Sequence, residues 1–268
     1  MEQLNKIAEF DVYDTTIKDI AGLKDYSIIY KVIEEFFQNE EKLDELILDE
    51  NIFDIRTEKG RKKVSWAIKR SIFKFFNQKH KDLICSIFKE GISFQDKKFV
   101  LLWHLSLNNR LIREVTSNIF IKIYYSGRVA ITADDIMVYI KEIQKEEGKT
   151  TKANWSEETI YRIATKYLSL MTKLDFVTSG RIKSFTHIRP SSEAQVLFLY
   201  FAKLFSPNAS NILTNELLPV SFISSEDIQD RLKKLSLKGF FNMNYNGIAL
   251  NIELTKSFKG ICDALYNR

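Results

Sequence analysis

Proline and glycine are scarce in this chain, 3 and 9 in 268 residues, whereas an all-β chain needs many more for its closely spaced turns. Cysteine is scarcer still, and Cys85 and Cys262 lie far apart. Cys85 falls at helical spacing among Leu83, Ile84, Ile87 and Phe88, where a thiol behaves as a small buried hydrophobe. No disulfide framework is indicated, and a reducing compartment is expected. The histidines His80, His104 and His187 are scattered, without Cys, Asp or Glu at metal-ligand spacing, so no zinc site is expected. His104, among Leu101, Leu102 and Leu105, reads as a hydrogen-bonded, half-buried imidazole.

Loops of the form G-x-x-x-x-G-K-S/T or G-x-G-x-x-G, which cradle phosphates, are missing, as is the nucleophile elbow G-x-S-x-G. The acidic pairs Asp134-Asp135 and Glu34-Glu35 read as helix caps and solvated charges. The expectation is therefore no enzyme, no catalytic residue, no metal, no cofactor and no small-molecule substrate. Long apolar runs are missing too. The longest, 99–107 and 194–205, are interrupted by His104 and Lys203 and fall short of the ~18 uncharged residues that a membrane helix needs. Glu2, Lys6, Glu9 and Asp11 stand where an apolar signal core would be. No membrane segment is expected, and the expected location is cytoplasmic. Asn208-Ala209-Ser210 matches a glycosylation acceptor but reads as a loop.

What is present is helical patterning, with 45% hydrophobic and 13% aromatic residues to fill a core. A mainly α fold follows, with helices expected at 27–38, 41–49, 58–77, 82–89, 97–107, 110–125 and 133–146. Thr132 and Asp135 form a capping pair, and Gly127 and Gly148 break the chain. The polar stretch 146–154 is the best boundary in the sequence. Beyond it a helix followed by a hairpin occurs twice. In the first copy Ser156 caps a helix to Lys173, followed by 176–178, a Ser179-Gly180 turn and 182–189. In the second Ser225 caps a helix to Lys238, followed by 240–245, an Asn246-Gly247 turn and 248–254. A winged helix ends in this way. The expected organisation is a helical bundle with a basic helix over 1–148, a winged-helix-like unit over 149–205, and a second helix–hairpin unit over 206–268.

Charge is concentrated. From Arg56 to Lys74 stand Arg56, Lys59, Arg61, Lys62, Lys63, Lys69, Arg70 and Lys74 against one acid, Glu58, while the rest of the chain is slightly acidic. At 100° per residue, Val64, Ile68, Ser71, Ile72 and Phe75 share one side of the helix, and Lys62, Lys63, Lys69, Arg70 and Lys74 share the other. That stripe is either the footprint of a polyanion or an ordinary solvated face. Trp66 and Phe73 fall within it, either to stack on a ligand or to pack against a neighbour. Strand alternation places Arg181, Lys183, Phe185, His187 and Arg189 on one face of the first hairpin, which makes that face basic. In the second hairpin Ile248, Leu250, Ile252 and Leu254 face away from Ala249, Asn251 and Glu253, a half-buried strand without a basic face. Glu157-Glu158 and Glu226-Asp227 open the preceding helices, which suits the helix dipole but not base reading. Contact with the phosphate backbone is the more economical expectation.

The run Glu50-Asn51-Ile52-Phe53 with Arg56-Thr57 and the basic helix through Arg70, followed by Trp155-Ser156, Thr159 and Leu168 and then Pro190, resembles the BrxA family of the BREX bacteriophage-exclusion systems. The resemblance spans roughly Asp19 to Phe205 and leaves 206–268 as an extension. It implies a cytoplasmic, non-enzymatic, mainly helical protein with a NusB-like N-terminal part that binds double-stranded DNA alongside other BREX subunits. On this resemblance Asn51 and Arg56 form a structural corner, and the basic helix and the unit from Trp155 to Pro190 are the parts carried over. The site residues expected for nucleic acid are Arg56, Lys59, Arg61, Lys62, Lys63, Lys69, Arg70, Lys74, Arg181, Lys183, His187 and Arg189. The competing expectations are an adaptor between subunits of the same complex and a NusB-like RNA binder.

Overall fold

The computed structural model describes residues 13–23, 26–38, 42–88, 92–147, 154–207, 211–224 and 227–266. The expected linker core at 148–153, the cap Ser225 with Glu226, and the loop 208–210 lie outside the described residues. In chain order the elements are α1 (Ile17–Ile20), α2 (Tyr26–Gln38), α3 (Glu58–Ser71), α4 (Gln78–Ile87), α5 (Phe94–Asn108), α6 (Arg110–Val115), α7 (Ile121–Tyr125), β1 (Ala130–Ile131), α8 (Ala133–Glu147), α9 (Glu157–Lys173), β2 (Lys183–Ser184), α10 (Ser192–Phe205), α11 (Ile228–Ser236), β3 (Phe241–Tyr245), β4 (Leu250–Leu254) and α12 (Ile261–Tyr266). Single π-helical turns at Glu45–Asp49 and Thr116–Phe120 and 3-10 turns at Ile212–Thr214 and Leu218–Ser221 join them. The fold is mainly α.

Polar side chains start the helices. Thr57 accepts the Gly60 amide, Asn77 that of His80, Asn109 that of Ile112, Ser156 that of Thr159 and Ser191 that of Ala194, each satisfying a donor that the first turn leaves open. The same logic corrects the basic helix, which ends at Ser71 and not at 77. The amides of Ile72 and Phe73 both close on the Ile68 carbonyl, at 2.8 and 3.2 Å. Asn77 is needed in extended conformation, φ −161°, to cap α4.

Met1–Lys74 and Asn108–His187 make one compact unit, and Phe75–Leu107 and Ile188–Arg268 make another. Each draws on two separated stretches, whereas the divisions expected at 148 and 205 are consecutive. In the first unit Ile17 and Ile20 of α1, Ile68 of α3 and Ile163 and Tyr167 of α9 are buried. Its first hairpin is short: Val177 bridges Phe185, and the Thr178 amide donates to the Ser184 carbonyl at 2.9 Å. The outer strand also pairs antiparallel with β1, Ala130 opposite Ser184 and Ile131 opposite Lys183. The expected strand over 182–189 is cut down accordingly. The Phe185 ring lies edge-on to Phe120 at 5.1 Å and Tyr124 at 5.4 Å, while Ile182 is 70% exposed. The face expected to be basic therefore turns inward at Phe185.

In the second unit Trp103 is fully buried among Phe99, Phe198 and Phe201, with its indole N–H donating to the Val220 carbonyl at 2.8 Å. β3 and β4 pair antiparallel from Phe241 opposite Leu254 to Tyr245 opposite Leu250. The turn is the expected Asn246-Gly247, with Gly247 at φ 92°, which a side chain would strain. Leu250 is fully buried, whereas Ile248, expected on the same face, sits at the turn and is 86% exposed. Asn211 bridges Asn251, so here too the chain ahead of the helix pairs with the last strand of the hairpin.

Candidate nucleic-acid interface

The approach to α3 is set by a corner. Asn51 and Asp54 adopt left-handed φ of 52° and 49°, the Asn51 carbonyl accepts the Asp54 amide at 2.8 Å, and its side chain accepts the Ile55 amide at 2.9 Å. One turn later Gly60 passes so close to Ile55 that a Cβ would lie 2.7 Å from its Cγ2. Ala67, Ile68 and Ser71 then anchor the inner side of α3. Arg56, Lys59, Lys62, Lys63, Lys69 and Arg70 are exposed, and Arg61 and Lys74 are partly covered.

The eight expected cations are not equivalent. Lys62 pairs with Glu58 at 2.5 Å, Lys69 with Asp44 at 2.7 Å, and Arg70 with Asp14 at 3.6 Å. The ammonium groups of Lys62 and Lys69 hold the Glu58 and Asp44 carboxyls below their ordinary range. Arg70 also lies over the Trp66 ring, 4.9 Å from its centre, so one face of this 48% exposed indole is occupied. Arg56, Lys59, Arg61 and Lys63 have no ion-pair partner among the described residues.

Two cavities of about 670 Å³ each flank α3 within the first unit. One is lined by Tyr13, Lys69, Arg70, Phe73, Lys74 and Trp155, so Phe73 meets open space there beside two rings. The other brings Lys63 together with Lys18 of α1 and Arg162 and Lys166 of α9, over a floor that includes Leu23, Phe53 and Ala67. Lys18, Lys63 and Lys166 form no ion pair among the described residues. Lys18, Arg162 and Lys166 escaped the sequence reading because each is a lone charge in a mixed stretch, without a local excess to mark it. The acidic start of α9 is largely neutralised inside the protein: Glu157 pairs with Lys141 at 2.9 Å and Glu158 with Arg162 at 2.5 Å.

The hairpin residues separate. Arg181 is exposed at the turn, and the Lys183 ammonium folds back to donate to the carbonyls of Thr178 and Ser179 at 3.4 and 3.3 Å. His187 is exposed at the end of the first unit, and Arg189 belongs to the second. Among the described residues no three His, Cys, Asp or Glu side chains are grouped to hold a metal ion, and no helix is long and apolar enough to cross a membrane.

The model of the BrxA family matches residues 14–198, which take in α3, α9 and the first hairpin. The chain belongs to the BrxA family. A curated relative, BREX protein BrxA of Bacillus cereus (strain H3081.97), is 22% identical over 174 residues, covering 63% of this chain and 81% of that protein. Among solved structures, the crystal structure of an uncharacterized protein from Magnetospirillum magneticum superposes with a TM-score of 0.53 at 12% identity, over 72% of this chain and 97% of that one. That likeness is one of fold. The BrxA-family match ends within α10, so α11, both strands of the second hairpin and α12 lie beyond it.

Proposed function

We propose that this protein is a non-enzymatic, double-stranded-DNA-binding accessory component of BREX phage defence, working in the cytoplasm beside other BREX subunits and holding DNA mainly by its phosphates. Family membership supports the place in BREX. The observation that carries the DNA reading is the meeting of Lys63 from the basic helix with Lys18, Arg162 and Lys166 around one cavity. The succession β1, α8, α9 and hairpin, with β2 paired back to β1, is the order of a winged helix. In such folds the last helix and the hairpin face the duplex. Arg56, Lys59, Arg61, Lys63 and Arg181 are the phosphate ligands that need no ion pair broken first. Lys62, Lys69 and Arg70 must exchange a carboxylate for a phosphate, and the remaining expected residues contribute from the margins.

The test is a mobility-shift titration of the whole protein on duplex DNA, single-stranded DNA and RNA at several salt concentrations. Lys63→Glu with Lys166→Glu is expected to weaken duplex binding on all sequences alike and to flatten the plot of log K against log salt by about two units, roughly one for each lost contact. Unchanged duplex binding by this variant would show that the basic face is an ordinary solvated one. Preference for RNA would instead favour the NusB-like reading. An adaptor role has its own support in Val129 and Ile182, 77% and 70% exposed beside β1 and β2.

A further inference from the structure

Like the first compact unit, the second carries a helix followed by a hairpin, yet this hairpin has no basic face. Its chemistry lies on the other side of the repeat. A cavity of about 380 Å³ is lined by Arg189 ahead of α10, Arg231 and Lys234 of α11, the hydroxyl groups of Ser191 and Ser192, and the Asp96 carboxylate. Arg231 and Lys234 are three apart, so helical geometry puts them on one face. Neither they nor Arg189 has an ion-pair partner among the described residues. Asp96 is almost fully buried and accepts from the Tyr266 hydroxyl at 3.1 Å. Ser191 uses its oxygen lone pairs to cap α10, which leaves its proton free to donate. Three cations against one carboxylate leave the charge that a phosphate dianion, or two neighbouring backbone phosphates, would neutralise. Guanidinium forks and hydroxyl donors match phosphate oxygens in geometry as well as sign.

We propose that this cavity, formed by Arg189, Arg231, Lys234 and the two serines, is a phosphate-binding site, and that the second unit thereby holds nucleic acid at a place separate from α3. The phosphate chemistry stands on the cavity alone, while its nucleic-acid source rests on the function proposed above. The parallel with the first unit supports that source. There α9, the helix ahead of the hairpin, turns Arg162 and Lys166 into a cavity. In the second unit α11 holds the same place and turns in Arg231 and Lys234.

The experiment compares the full chain with Arg231→Gln/Lys234→Gln and with the conservative Arg231→Lys/Lys234→Arg. The probes are inorganic phosphate, followed by phosphorus NMR line broadening, and a short DNA duplex, followed by mobility shift at several salt concentrations. Melting curves verify that each variant folds. The glutamine pair is expected to weaken phosphate binding at least tenfold and to lower the salt slope on duplex DNA by about two units, whereas the charge-keeping pair should retain the parent's salt slope and bind phosphate more weakly than the parent but more tightly than the glutamine pair. Loss of phosphate binding with unchanged DNA binding would keep the phosphate site, assign it to a small phosphorylated molecule and overturn the nucleic-acid source. Parent-like behaviour of the glutamine pair on both probes would overturn the site, while loss of DNA binding in the Lys63→Glu/Lys166→Glu variant would still leave the function proposed above standing.

Discussion

At the scale of single residues, the histidines carry a consequence for stability. His80 is fully buried, and its Nδ1 accepts the Phe76 amide at 3.1 Å, which fixes the ring proton on Nε2. That proton points to His104 Nδ1 at 2.9 Å, so both rings are held neutral. Burial and the facing His104 depress the His80 pKa well below its ordinary 6.5. Because the folded state then binds fewer protons than the unfolded one between the two pKa values, stability rises with pH through that window. It is expected to be complete above about pH 7 and to be lost as pH falls below the unfolded value. Denaturant midpoints measured from pH 7.5 down to 5 are expected to fall, more steeply than in a His80→Phe/His104→Leu variant, and parallel profiles would exclude the neutral pair. The sequence placed His104 in a hydrogen bond, but it held no sign of His80 as the partner. The two are 24 residues apart, one on α4 and the other on α5, and only the tertiary fold brings their rings together.

At the scale of elements, the two hairpins predict opposite responses. Leu250→Ala is expected to cost about 2–5 kcal/mol, the usual range for emptying a buried leucine site, whereas Ile248→Ser should shift stability by less than about 0.5 kcal/mol. Thermal melting separates the two, and equal effects would mean that the register of β3 and β4 is wrong. In the first hairpin, Arg181→Ser is expected to reduce duplex affinity without lowering the melting temperature, while Lys183→Ser should lower both, since its ammonium ties down the turn. A neutral Arg181→Ser in the mobility shift would remove this hairpin from the interface. The second hairpin was legible because Asn-Gly and five-residue strands leave a strong local trace. β1 was not, because alternation needs more than two residues to register. The end of α3 was misjudged for a related reason: lysines and phenylalanines continue at helical spacing past Ser71, and only the claim of Asn77 on the next helix stops it. Arg189 shows the limit of local pattern, since alternation assigns it to a strand whose continuation crosses into the other unit.

At the scale of the whole molecule, the second unit joins Phe75–Leu107 to Ile188–Arg268, so a fragment ending at Phe205, close to the limit of the BrxA-family match, removes Leu217, Val220, Leu232, Phe241 and Leu250 from its core. Such a fragment is expected to bind a hydrophobic dye and to show red-shifted tryptophan emission, because Trp103 keeps Phe198 and Phe201 but its indole N–H loses the Val220 carbonyl. Native-like emission from this fragment would mean that α5 finds other cover. The same connectivity sets a timetable for biosynthesis. The first unit can close once His187 has emerged, but Trp103 must wait for a partner 117 residues further along the chain. At ordinary synthesis rates of about 5–20 residues per second that wait is roughly 6–23 s. Until α10 and Val220 have followed, the apolar side chains of α5 lack their full cover on the ribosome, so the growing chain stays open to misassembly and chaperone capture even after its first unit has formed.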